Sequence, residues 1–122
     1  MNLKLYSEEF KVVRLKKALS KKIEGLFFYS QTEDEFSLVC NSSIELEHID
    51  RVEYNYRLLK IEGILDFSLV GIISKISGLL AKQKISIFVV STYNTDYFMV
   101  KNNKLQETVE LLESNGYIIE KQ

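Results

Sequence analysis

From Leu69 to Gln83 the apolar residues Leu69, Ile72, Ile73, Ile76, Leu79 and Leu80 recur at intervals of three and four. That is the spacing of a helix that buries one face. Such a helix needs an apolar surface to lie on, and the flanking residues offer one. Arg57-Leu-Leu-Lys-Ile-Glu-Gly63 alternates in part and stops at a glycine, as a strand does, and Ile85-Ser-Ile-Phe-Val-Val90 is short, β-branched and apolar. Ser91-Thr-Tyr-Asn-Thr95 reads as a turn, with Asp96-Tyr-Phe-Met-Val100 returning as the second strand of a hairpin. Asn103 and Gln106 have the form of a capping box. Leu105, Val109 and Leu112 continue as a second helical stripe that ends on Asn115-Gly116 as a C-cap. Tyr117-Ile-Ile-Glu120 is a last strand. The predicted order is β-α-β-β-α-β, an α+β arrangement.

The first half carries a shortened copy of this plan. With Ser30 set on Ser91, an offset of 61, Phe27-Phe28-Tyr29 falls on Phe88-Val89-Val90, Glu35 on Asp96 and Leu38-Val39 on Met99-Val100. Setting Val12-Val-Arg-Leu15 on Leu58-Leu-Lys-Ile61 gives an offset of only 46. The difference, 15 residues, is about one helix, so the first helix of this copy shrinks to a remnant marked by Leu19 and Ile23. The second shrinks to a stretch near Ile44–Ile49, and the strand Arg51–Tyr56 then runs directly into the next unit. No Gly/Ser/Pro linker separates the copies. The expected organisation is a shortened unit, 1–56, fused to a complete one, 57–122.

In such a unit the sheet order is 4-1-3-2, and the first two strands run in the same direction. The loops that follow them then reach one edge of the sheet. Leu65-Asp-Phe-Ser-Leu-Val-Gly71 follows the first strand and opens the helix, and Ser91-Thr-Tyr-Asn-Thr-Asp96 follows the second. A helix N-terminus there suits an anionic group such as a carboxylate. Asp66 and Asp96 can accept hydrogen bonds from an ammonium or guanidinium, so the edge fits a zwitterion, and a free amino acid is the natural candidate. Asp66 or Ser68 equally serves as the N-cap, and Asp96 equally rims a turn. Gly71, one turn into the predicted helix, marks either a close approach of backbone or ligand, or helix-to-sheet packing.

Other functions find little support. Sixteen Lys and Arg against seventeen Asp and Glu leave a net charge of −1, which gives no electrostatic footprint for nucleic acid or an anionic membrane. The apolar stretch 61–90 is broken by Asp66, Lys75, Lys82 and Lys84, so no transmembrane span fits. Met1-Asn2-Leu3-Lys4 runs into Glu8-Glu9 without a signal-peptide core, and the expectation is a cytoplasmic protein. One Cys and one His exclude a disulfide framework and an all-His/Cys metal site. Cys40, at the end of an alternating strand, is expected in the core, and His48, close after Glu45 and Glu47, at the surface. Asp66 and Asp96 have no His, Lys or Cys partner in their two loops, and no phosphate loop, dinucleotide fingerprint or nucleophile elbow occurs. Neither an enzyme nor a cofactor is expected.

Leu65-Asp-Phe-Ser-Leu-Val-Gly71, Leu79-Leu-Ala81, Ile85-Ser-Ile-Phe88 and Ser91-Thr-Tyr-Asn-Thr-Asp-Tyr97 together resemble a tandem ACT-domain protein. The group resembled includes small bacterial stand-alone proteins and the animal cytosolic arginine sensors. The likeness is specific over residues 57–122 and lies in pattern alone over Phe27–Cys40. It implies two fused ferredoxin-like units with antiparallel sheets, regulatory rather than catalytic, binding an amino acid where units meet. Carried over residue by residue, it places an effector loop at Asp66, Phe67, Ser68, Leu69, Val70 and Gly71, an acidic contact at Asp96 and supporting backbone at Ser91 and Thr92. The arginine sensors carry no acid at the place of Asp66, so arginine itself is not implied. A rival reading is an interaction protein whose exposed strand edges build a homo-oligomer or dock a partner.

Overall fold

The computed structural model describes residues 1–62 and 71–122. Its strands are β1 (Asn2–Leu15), β2 (Phe28–Gln31), β3 (Phe36–Asn41), β4 (Ile49–Ile61), β5 (Phe88–Ser91), β6 (Asp96–Lys101) and β7 (Ile118–Lys121), and its helices are α1 (Ile72–Lys82) and α2 (Leu105–Ser114). A 3-10 turn, Asn102–Lys104, leads into α2. The class is α+β, as expected. The chain divides into two compact units, a helical one made of Met1–Ser7 and Arg57–Gln122 and a helix-free one, Glu8–Tyr56. The long strands β1 and β4 contribute residues to both.

In the helical unit, α1 and α2 bury Ile76, Leu80 and Leu112 against Leu59 and Ile61 of β4 and Phe98 and Val100 of β6. Of the stripe read from sequence, Ile72, Ile73, Ile76, Leu79 and Leu80 pack here, and Leu69 lies outside the described residues. Among the described residues α1 begins at Ile72, and Gly71 is its N-cap, with φ +80° and no side-chain cap bond. Asp66 and Ser68, the expected caps, lie outside the described residues. The predicted capping box is absent. Lys104 is the N-cap of α2 and makes no side-chain cap bond, while the Gln106 amide instead donates to Glu110 at 3.1 Å. The 3-10 turn takes up the start of the helix. At the other end, Asn115 and the left-handed Gly116 (φ +91°) close α2 as expected.

The strand order of this unit corrects the expected one. The last strand was expected beside the Arg57–Gly63 strand, in an antiparallel sheet. The order is instead β7-β1-β4-β6-β5, with β7 parallel to β1 and Asn2–Leu5 set opposite Ile118–Lys121. The N-terminal residues hydrogen-bond on both sides: the Ile118 N–H donates to the Met1 carbonyl (3.0 Å) and the Glu62 N–H to the Asn2 carbonyl (2.9 Å). Alternation explains the insertion. Leu3 and Leu5 point to one face, are 0 % and 5 % exposed, and belong to the core of the helical unit. Met1–Ser7 therefore pack with residues 57–122, whereas they were expected with the first 56.

The helix-free unit keeps the order β2-β3-β1-β4. Its core is Val13, Leu15, Ile23, Leu38 and Cys40. The shortened helices expected at Leu19–Ile23 and Ile44–Ile49 do not form: 16–27 and 42–48 contain only bends and turns. One turn or less of apolar spacing cannot offset the cost of helix nucleation. The copies also correspond one residue differently from the sequence alignment. Phe28 pairs with Val39 and Gln31 with Phe36, just as Phe88 pairs with Met99 and Ser91 with Asp96. The hairpin offset is thus 60, not 61, and a one-residue slip exchanges the faces of a strand. The buried triplet Leu38-Val39-Cys40 answers to Phe98-Met99-Val100. Cys40 is fully buried as expected, and burial pushes its thiol pKa up, partly opposed by the nearby charges of Lys11 and Lys21. Lys11, opposite Cys40 in the β1–β3 register, is itself 4 % exposed, and its ammonium donates to the Ile44 carbonyl.

Candidate functional site

The hairpin between β5 and β6 is built on its threonines. The Thr92 N–H donates to the Thr95 carbonyl at 2.8 Å. The Thr92 hydroxyl donates to the same oxygen at 3.0 Å and accepts from the Thr95 N–H at 3.4 Å. Thr95 is 4 % exposed, and its hydroxyl donates to the carbonyl of Ile61, the last residue of β4, at 2.6 Å. This bond joins the turn to the point where β4 ends and the 63–70 segment begins. Ser91 and Thr92 are exposed and Asp96 is half-buried at this turn, with Tyr93 at its tip 82 % exposed. The hairpin of the helix-free unit repeats the geometry without the anchor: the Thr32 N–H donates to the Glu35 carbonyl at 3.0 Å, but Glu35, in the place of Thr95, is exposed. Thr95 was not singled out from sequence, although the matching Thr-x-x-Thr and Thr-x-x-Glu spacings carry the signal.

Of the predicted effector loop, Asp66, Phe67, Ser68, Leu69 and Val70 lie outside the described residues, and Gly71 lies within them. Among the described residues no heavy atom comes within 4 Å of a Cβ built on Gly71. The left-handed backbone at φ +80° is by itself enough to favour glycine here. We expect Gly71→Ala to lower the unfolding free energy by about 1–2 kcal/mol, and Gly78→Ala, in open space inside α1, to raise it by about 0.5–1 kcal/mol. Urea titrations of both variants check this pair, and a neutral Gly71→Ala would remove the conformational argument.

Gly71 also lines a concavity of about 320 Å³ with Ile72, Lys75, Tyr117 and the α2 terminus, Asn115-Gly116. The positive end of α1 and the Lys75 ammonium give it anion-favouring chemistry, and desolvation raises the pKa of Tyr117 on its wall. Ser91, Thr92 and Asp96 do not line this concavity. The described residues thus form two separate pieces: a turn with a carboxylate, and a helix N-terminus with a lysine. Beyond the end of β6 opposite to Asp96, the Arg57 guanidinium donates to the Tyr6 carbonyl (3.0 Å) and to Asn102 (3.3 Å). Among the described residues no group of three or more His, Cys, Asp or Glu is placed to hold a metal ion, and no helix is long and apolar enough to cross a membrane.

Comparison with known proteins finds one family and several solved structures of the same fold. The profile of a family described as ACT domain matches residues 51–114. Protein Atu0741 from Agobacterium tumefaciens superposes with a TM-score of 0.89 at 28 % identity, over 99 % of this chain and 92 % of that one. Aspartate kinase from Clostridium acetobutylicum, described as an allosteric enzyme, matches at TM-score 0.62 and 17 % identity over 88 % of this chain. E. coli aspartokinase III, in complex with aspartate and ADP, matches at 0.67 and 13 % over 93 %. The matched chain covers 32 % and 33 % of those two kinases, and at such identities the likeness is one of fold. No curated protein sequence matches the chain.

Proposed function

The chain belongs to the ACT domain family, and from that premise we propose that it is a cytoplasmic, non-catalytic regulatory protein that binds an amino acid. On this reading two ACT-like units are fused, 8–56 and 57–122, the second completed by the strand of residues 1–7, and the effector is held at the sheet edge of the second by Asp66–Gly71 together with Ser91, Thr92 and Asp96. The observation that carries the reading is the Thr95–Ile61 hydrogen bond. It ties the 91–96 turn to the end of β4, the strand that the 63–70 segment follows in sequence. A carboxylate at Asp96 suits the ammonium of such a ligand, and the positive end of α1 suits its carboxylate. Loops carried by a rigid sheet are where binding residues concentrate.

A thermal-shift screen of the amino acids tests this directly. Saturation with the effector raises the melting temperature by several degrees, and Asp96→Ala removes the rise. If no amino acid moves the melting temperature of the unaltered protein, the reading is lost. The rival reading rests on Val89 of β5 and Ile118 of β7, which are 40 % and 58 % exposed on the two edge strands of the helical unit. Light scattering that finds a stable oligomer indifferent to amino acids favours that alternative.

A further inference from the structure

The helical unit fills the space beyond its strands with α1 and α2, whereas the helix-free unit has only the loops 16–27 and 42–48 in the corresponding connections. Between these loops lies a cavity of about 720 Å³, within the range of small-molecule sites. Its floor is Leu15, 6 % exposed, with the partly buried Leu19 and Leu46. Its rim carries Lys17, Glu45, Glu47 and His48.

The walls are braced. The Lys16 N–H donates to the His48 carbonyl at 2.8 Å, closing one end. The Lys21 ammonium donates to the Glu45 carbonyl, bridging the two loops. The Leu19 N–H donates to the Tyr29 hydroxyl at 3.1 Å, and the buried Lys11 ammonium holds the Ile44 carbonyl from below. His48 is fixed with φ +58°, a conformation that non-glycine residues adopt only where the surroundings impose it. Four ties between or behind the loops make the cavity a formed feature, which lowers the ordering cost of an occupant.

We propose that this cavity is a second ligand site, for a zwitterion with an apolar side chain of about the size of leucine. The floor takes the side chain. Lys17 and Lys21 supply the cations that meet the carboxylate and the Glu45 side chain meets the ammonium, while Glu47 lies 3.8 Å from His48 at the outer rim. The two signs balance on the rim, which disfavours a ligand bearing only one charge. The proposal does not depend on the effector reading of the helical unit, because every residue named belongs to Glu8–Tyr56.

The test is amide-resolved NMR of the full chain titrated with L-leucine, 4-methylpentanoate and 3-methylbutylamine. Leucine is expected to shift the amides of 15–21 and 45–48 with roughly millimolar affinity, and the monovalent analogues to bind at least about tenfold more weakly. Lys17→Glu, an exposed change that leaves the fold intact, weakens leucine at least about tenfold, and Asp96→Ala leaves these shifts unchanged. The proposal is overturned if leucine shifts none of these amides at about 20 mM, if either analogue matches it, or if Lys17→Glu binds it equally well.

Discussion

Leu3→Ala is expected to lower the unfolding free energy by about 3–5 kcal/mol, and Leu3→Asp to abolish cooperative unfolding of the helical unit. Terminal residues usually fray, so a large effect at the third position is a specific consequence of this fold. Leu3 is fully buried in the same core as Leu59, Ile76, Phe98 and Leu112. Its strand is paired on both sides, with β4 and β7, so the backbone has little freedom to relax into the cavity left by alanine. The aspartate places an unpaired charge in that core, a cost several times larger than that of the lost methyl groups. Lys4→Ala is the internal control. Its side chain is half-buried and sits over the Tyr6 ring at 4.8 Å from the centroid, and its removal costs below about 1 kcal/mol. Urea titrations followed by circular dichroism read all three. Equal, small effects for Leu3→Ala and Lys4→Ala would mean that residues 2–5 do not hold their place in the sheet.

That strand is also where the limits of the sequence are clearest. Leu3 and Leu5 alternate with Asn2, Lys4 and Tyr6, which says that one face is buried but not against what. Pairing partners across more than 100 residues leave no local mark, and β7 reads the same whether its neighbour is β4 or β1. The helix α1 and the β5–β6 hairpin were legible because their signals are local: a 3.6-residue period in one, and a turn between β-branched runs in the other. The one-residue error in the hairpin offset has a local cause too. Ser30 and Ser91 were aligned as like residues, but the ladder sets Gln31, not Ser30, in the place of Ser91. The cavity between 16–27 and 42–48 was invisible for the opposite reason. Leu19, Ile23 and Ile44 look like the start of helices, and only where the turns are missing does a hollow open that Leu19 and Leu46 line. At the candidate edge, the sequence pointed to Asp96 through its charge and passed over Thr95, whose contribution is a single buried hydroxyl.

Thr95→Val is expected to cost about 2–3 kcal/mol, while Thr95→Ser costs about 1 kcal/mol or less. Valine keeps the volume and β-branching of threonine, so packing around this 4 % exposed side chain changes little. What it removes is the donor to the Ile61 carbonyl at 2.6 Å, leaving a buried acceptor without its partner, which is the costly half of losing a hydrogen bond. Serine keeps the donor and gives up one methyl. The order valine below serine therefore separates the hydroxyl from the methyl, and the reverse order would assign Thr95 to packing alone. Hydrogen exchange adds the functional half of the test. The Thr92–Thr95 bonds lie within the turn and survive the substitution, so the turn itself persists, but its tie to β4 is gone. Faster exchange at residues 92–96 in Thr95→Val, with α2 unaffected, is the expected pattern. Under the amino-acid reading the same variant also loses ligand-induced stabilisation beyond its loss of stability, because an edge whose two loops drift apart binds with the fraction of time they stay together.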